Sequence, residues 1–245
     1  MKFKRPARFL FTTAVLIGLT LAPAVADDAE LHSAIRPVPR DADWWTARHD
    51  KMNARIAKGK VDLLFIGDSI TQAWEGNGKT AWAENYKRRN AVNLGIGGDR
   101  TQHVLWRLDH GNIKGVSPKA AVVMIGTNNS GDDTSEHIAD GVEAIVVKLR
   151  KQLPEMKILV LAIFPRGADD KDPRRQVTMG ANKIIAKLAD DKHVFYLDIG
   201  AAFLADDRTL SKDIMPDLLH LSREGYTIWA DSIEPTLKKL MADKE

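Results

Sequence analysis

The sequence predicts an α/β protein, a three-layer α/β/α sandwich around a five-stranded parallel sheet, and three observations carry that prediction. Short runs rich in Val, Ile and Leu recur at residues 61–66, 91–94, 120–125, 158–164 and 194–199. Several of them lack in/out alternation, which is how strands buried on both faces read. Between them lie longer stretches with apolar residues at helical spacing, and strands alternating with helices imply right-handed crossovers and a parallel sheet.

Taken in order, residues 1–26 hold Lys2, Lys4, Arg5 and Arg8 and no acid, then an apolar stretch from Phe9 to Leu21, then Ala24-Val25-Ala26. This pattern is a secretory leader cut after Ala26. The apolar stretch is 13 residues, short of the about 20 needed to span a bilayer, so no stable membrane insertion is expected once the leader is removed. An exported chain, periplasmic or secreted, is the expectation. The chain is 245 residues long with 36 Lys and Arg, 33 Asp and Glu, and a formal charge of +3. Four of those cations and none of the acids fall in the leader, so the rest of the chain carries 32 against 33. The basic balance therefore belongs to the leader, and no nucleic-acid partner is expected. Cys is absent, which excludes a disulfide scaffold, a thiolate metal site and a cysteine nucleophile.

Residues 27–43, with Pro37 and Pro39 among many charges, read as a solvated lead-in. From Trp44 to Lys58, Trp45, Met52 and Ile56 share one helical face. The clearest helix runs from Thr134 to Leu153, with Ile138, Val142, Ile145, Val146, Leu149 and Leu153 in one stripe, Asp133 and Glu136 as a capping box and Pro154 as its stop. A last helix begins near Ser222, where Tyr226, Trp229, Ile233, Leu237 and Leu240 share a face and Pro235 marks a kink. No repeat or mid-chain linker interrupts residues 44–245, which read as a single domain.

In open parallel sheets, functional residues gather at the carboxyl ends of the strands. Three polar, Gly-containing segments fall there: Gly67-Asp68-Ser69-Ile70, Gly95-Ile96-Gly97-Gly98-Asp99 and Gly126-Thr127-Asn128-Asn129. Ser69 sits where a buried strand turns toward a helix, but a serine hydroxyl needs a positioned base. The candidate base lies in Met215-Pro216-Asp217-Leu218-Leu219-His220. An Asp three residues before a His can accept the imidazole Nδ1–H, which leaves Nε2 to take the serine proton. The Ser69 N–H, the Gly98 N–H and the Asn128 amide are candidate donors to an oxyanion, with Gly97 an alternative to Gly98. Each segment alone is also an ordinary turn or cap.

Serine, glycine, asparagine and an Asp-x-x-His pair, in that order, resemble the four sequence blocks of the SGNH, or GDSL-type, hydrolase family over residues 61–240. NLGIGGDRTQHVLWRL (93–108), GTNN (126–129), PRG (165–167) and DLLHLSREGY (217–226) look most like the catalytic subunits of intracellular platelet-activating-factor acetylhydrolase and their bacterial relatives. The resemblance implies a flavodoxin-like sandwich, with Ser69 as nucleophile, His220 as general base and acid and Asp217 as its orienting carboxylate. Ser69, Gly98 and Asn128 become the oxyanion hole. It further implies a carboxylic ester hydrolase with no metal or cofactor, short acyl and especially acetyl esters as substrates, and a homodimer. Export points to O-acetylated carbohydrate as the ester. The alternative substrate is a lysophospholipid or platelet-activating-factor-like ester.

Other classes fit the residues less well. A metal hydrolase would use Asp68, Asp217 and His220 but lacks an obvious fourth ligand. A dinucleotide site at Gly95–Arg100 has Arg where the fingerprint needs Gly or Ala. A non-catalytic binding protein on the same fold leaves the acyl-transfer parts unexplained. His32, His49, His103, His110, His137 and His193 read as surface or packing residues. Trp74, Trp82 and Trp106 are candidate walls of an acyl or sugar pocket, and the charged segment 166–175 is expected to border the site.

Overall fold

The computed structural model describes residues 1, 2 and 31–242. The leader, its cut after residue 26 and the start of the lead-in thus lie outside the described residues.

Five strands form one parallel sheet: β1 (Leu63–Gly67), β2 (Ala91–Gly95), β3 (Ala120–Met124), β4 (Lys157–Leu161) and β5 (Val194–Leu197), in the order β2-β1-β3-β4-β5. They match the five apolar runs. β1 and β3 are buried at every position, which is why those runs show no alternation with polar residues. Alternate residues still divide between two cores: Leu64 and Ile66 face one, Leu63 and Phe65 the other.

The first core is covered by α1 (Asp43–Ala57), α4 (Thr101–Asp109), α5 (Ser135–Gln152) and α6 (Pro173–Ile185). The second is covered by α3 (Lys79–Asn85) and α7 (Arg223–Met241), with a one-turn helix, α2 (Ser69–Gln72), at the end of β1. The chain leaves β1 for β2 on one side and β3 for β4 on the other, so the order reverses between β1 and β3. In such sheets the crevice outside that reversal is where ligands bind.

Two local expectations change. The cap of α5 is Thr134, whose hydroxyl accepts the His137 N–H at 3.2 Å. Asp133 is instead buried, taking bonds from Ser33 Oγ (2.5 Å) and Asn129 Nδ2 (2.9 Å). Its carboxylate was drawn off the helix end by partners 100 and four residues away. α7 begins where expected, with Ser222 Oγ accepting the Gly225 N–H at 3.2 Å, and continues past Pro235 as one helix.

The lead-in from Leu31 onward is largely exposed, as expected of a solvated segment, but it is tied to the body at two points. Ala34 is fully buried, its carbonyl accepts the Thr101 hydroxyl at 2.8 Å, and the Val38 N–H reaches the Gln102 carbonyl at 3.3 Å. From Leu31 the chain forms one compact unit. Pro37 and Pro39 fix φ on either side of Val38, and the start of α4 takes one backbone group on each side of Pro37.

Candidate active site

β1 delivers Gly67, Asp68 and Ser69 to the carboxyl edge of the sheet. Residue 67 must be Gly, because a Cβ there would stand 2.1 Å from Thr71 Oγ1 and 2.4 Å from the Met124 carbonyl. Asp68 caps α2 by accepting the Ile70 N–H at 2.9 Å. This carboxyl group is wholly buried, and burial pushes its pKa up to about 7 despite that bond. Ser69 is the first residue of α2, where a helix has no internal acceptor for its N–H.

The loop before α7 supplies the partner. The Ser69 hydroxyl lies 2.8 Å from His220 Nε2, and His220 Nδ1 lies 2.6 Å from Asp217 Oδ2. Asp217 Oδ1 accepts the N–H groups of Leu219 (3.1 Å) and His220 (2.7 Å). Partial burial raises the Asp217 pKa, but the bonds from the His220 ring and backbone outweigh that and hold it below the usual value. An ionised carboxylate can only accept, so Nδ1 carries the proton and Nε2 is free to take the serine's. The loop is pinned by the Gly167 N–H to the Leu218 carbonyl (2.9 Å) and by Asn77 Nδ2 to the Leu221 carbonyl (3.0 Å).

The donors come from the ends of β2 and β3. The Gly97 N–H is taken by Gln72 Oε1 at 2.7 Å. The Gly98 N–H has no acceptor among the described residues, which makes it the freer of the two candidate donors. Gly98 has φ +73°, a conformation that disfavours other residues, and a Cβ there would stand 2.6 Å from Arg40 Nη1. Asn128 Nδ2 gives one hydrogen to the Asp99 carbonyl at 2.8 Å, and its second has no acceptor among the described residues.

Behind these loops is a buried network. Asp99 accepts from Trp45 Nε1 (2.7 Å) and Arg107 Nε (2.8 Å), while other Arg107 donors reach the Gly67 carbonyl (3.3 Å) and Asn112 Oδ1 (2.5 Å). Arg107 thus joins the strand end before Ser69 to the loop that carries Gly98.

Every candidate triad and oxyanion residue therefore stands at one edge of the sheet. The tryptophans do not. Trp74 is buried against Phe65, Tyr86 and Trp229, and Trp106 packs on Trp45 and His110. Trp74 and Trp82 line a cavity of about 620 Å³ beside α1 and β2. Three site features were missed. Gln72 was legible as a polar residue three positions after Ser69. The Asp99–Arg107 pair and Arg40, whose Nη1 donates to the Gly97 carbonyl at 2.7 Å, left no local signal. As for a metal, both ring nitrogens of His220 are engaged, and among the described residues no three His, Asp or Glu side chains converge as ligands.

A family model for the GDSL-like lipase/acylhydrolase family matches residues 65–228. The chain is 36% identical to the alpha1 subunit of platelet-activating factor acetylhydrolase IB from Homo sapiens, over 82% of this chain and 86% of that protein. A GDSL-like lipase from Bacteroides thetaiotaomicron superposes with a TM-score of 0.60 at 19% identity, covering 79% of this chain and 97% of that one. A mutant of an acetyl-xylooligosaccharide esterase from Geobacillus also gives 0.60 at 19% identity, covering 76% and 96%. These two structures share the fold.

Proposed function

We propose that this chain, which belongs to the GDSL-like lipase/acylhydrolase family and is a carboxylic ester hydrolase, acts through an acyl-enzyme on Ser69 and takes acetyl esters of carbohydrate outside the cytoplasm. The unbroken chain from Ser69 through His220 to Asp217, with links of 2.8 and 2.6 Å, carries the proposal.

In this mechanism Ser69 Oγ attacks the ester carbonyl carbon while its proton passes to His220 Nε2. The charge that develops on the carbonyl oxygen meets the N–H groups of Ser69 and Gly98 and the free hydrogen of Asn128 Nδ2. Each such preorganised donor is worth about 2.7–4 kcal/mol in the transition state. The carbon–oxygen bond to the alcohol then breaks, and the alcohol leaves with the proton from Nε2. Water repeats the sequence on the acyl-enzyme, releasing the carboxylic acid and restoring Ser69. Asp217 keeps the ring in the required tautomer throughout.

Three observations support the finer reading. A relative named for acetyl hydrolysis is 36% identical, and a fold neighbour is named for acetyl-xylooligosaccharides. The leader-like pattern of residues 1–26, a basic start, a 13-residue apolar stretch and Ala24-Val25-Ala26, favours export. A second reading, an acetyl ester of a platelet-activating-factor-like lipid, is favoured by that same 36% identity.

Hydrolysis of 4-nitrophenyl acetate tests the mechanism. Ser69→Ala is expected to lower kcat by about 10⁴-fold or more and to abolish labelling by a fluorophosphonate. An unchanged rate removes the proposal. The rate is expected to fall from acetate to butyrate to octanoate. Acetate release from acetylated xylooligosaccharide, compared with release from an acetyl phosphocholine lipid, separates the two substrates.

A further inference from the structure

We propose that the rim of this site is built for an ester whose alcohol half carries a negative charge, held between Arg40 and Arg166. This rests on the ester-hydrolase reading above and adds the chemistry of the leaving group.

The strand order places the two guanidinium groups. Arg40 donates to the Gly97 carbonyl (2.7 Å), at the end of β2. Ser69 follows β1, and Thr127 and Asn128 follow β3. Arg166 follows β4, and its Nη1 donates to both the carbonyl and the hydroxyl of Thr127 at 3.0 Å. With adjacent strands about 4.8 Å apart, the two anchor points, Gly97 after β2 and Thr127 after β3, bracket the nucleophile, each one strand away from β1. Arg40 reaches within 2.6 Å of where a Cβ on residue 98 would stand. The residue after Arg166 is bonded to the Leu218 carbonyl, two positions before His220.

Neither arginine has an ion pair among the described residues, and the acids around them are committed elsewhere. Asp99 is bonded to Arg107 and Trp45, and Asp217 to His220. Asp68 is buried as the cap of α2, and Asp172 accepts the Arg175 N–H at 2.9 Å as the cap of α6. Arg166 is half-buried, and a further cation, Arg174, stands near it. Asp172, Asp68 and Asp217 attract Arg166 from farther off, but none is paired with it, so part of each guanidinium fork is left for an incoming anion. On the other side the Arg40 guanidinium lies over the Trp44 ring, 4.9 Å from its centroid, and Trp44 is 53% exposed. Stacking orients a planar donor fork, and such a fork matches a carboxylate or a phosphate. Both groups share this chemistry, as a uronic-acid sugar or as a phosphate headgroup.

The test compares 3-acetoxybenzoate with its neutral isostere 3-acetoxybenzamide, each kcat/KM corrected for the ester's rate of hydrolysis by hydroxide. At low ionic strength the wild-type protein is expected to favour the anion by about tenfold, and the ratio to fall severalfold in 0.5 M salt. Arg40→Gln or Arg166→Gln is expected to lower the ratio at least about threefold, with Lys at either position restoring part of it. A ratio at or below one in the wild-type protein overturns the proposal, as does a ratio that neither Gln variant moves. If the folded protein hydrolyses neither ester, the ester-hydrolase reading itself falls. Among larger substrates, faster acetate release from acetylated oligogalacturonate points to a sugar carboxylate, and from acetyl glycerophosphate to a lipid headgroup. Either result upholds the anion, and a neutral acetylated oligoxyloside outpacing both overturns it.

Discussion

Ser69 and His220 meet at 2.8 Å, yet the segments that carry them are held in opposite ways. Behind Ser69 the support is buried: Gly67 is pressed between Thr71 and Met124, Asp68 has no exposed surface, and the buried Arg107 ties the strand end to the loop that carries Gly98. Around the base the side chains face water, with Asp217 57% and His220 39% exposed. What orients them is a set of bonds spanning two or three residues, from the Leu219 and His220 N–H groups to one carboxylate oxygen. The division suits the chemistry. An oxyanion hole must hold several donors from different strands in fixed relation, which requires a packed wall. A general base needs one ring at one angle, which a short turn provides while leaving the mouth open.

The sharpest attempt to break this contrast is Gly98→Ala. Its φ of +73° is strained for any residue with a Cβ, so alanine shifts the loop and the N–H it presents, and the Arg40 guanidinium must also move aside. Loss of one donor corresponds to a drop in kcat of about 10²- to 10³-fold, read on 4-nitrophenyl acetate. A loss under tenfold would show that the wall does not present the oxyanion donors.

Asp217→Asn probes the exposed half and is expected to cost about 10²-fold in kcat, less than the about 10⁴-fold known for a buried triad aspartate. The amide oxygen can still accept the Leu219 and His220 N–H groups, so the turn survives. The amide nitrogen then faces Nδ1 and favours the wrong tautomer. A loss as large as for a buried aspartate would mean that solvent screens this pair less than its exposure implies.

Asp68→Asn gives the smallest effect, on stability. The folded protein holds this proton up to about pH 7, whereas the unfolded chain releases it near the ordinary value of 3.8. The folded state binds the extra proton across that window, so the group's contribution to stability falls as pH rises through it and stays at its lowest above pH 7. An asparagine keeps the capping oxygen without the charge. Urea unfolding should therefore show the variant gaining on wild type between pH 5 and pH 8, by about 2 kcal/mol. A difference that does not vary with pH would show that Asp68 titrates normally.

Much of the fold was legible because its signals are local. The five runs became the five strands, since Val- and Leu-rich segments with no polar face need cover on both sides. Ser222 was recognisable as the start of the last helix from the apolar stripe that follows it. The misses were places where a distant partner outbid a neighbour. Asp133 was expected to cap a helix and was claimed by Ser33 and Asn129. The segment around Pro37 and Pro39 looked solvated because it has no periodic apolar pattern, yet α4 offers it hydrogen bonds. Trp74, Trp82 and Trp106 drew attention by their type, whereas exposed Trp44 is the indole that supports a rim residue.

By itself, the sequence determined the sheet's five strands, the alternation with helices, the serine at a strand end and the Asp-x-x-His turn. Each of these depends on residues within a few positions of one another. The tertiary structure alone decided that Gln72 occupies the Gly97 N–H and not that of Gly98, that Arg107 bridges two loops, and that Arg40 stands beside the candidate donor Gly98. These choices are hydrogen bonds between groups that only the packed sheet brings within 3 Å or so, and a bond across 25 or 57 positions has no local periodicity to announce it.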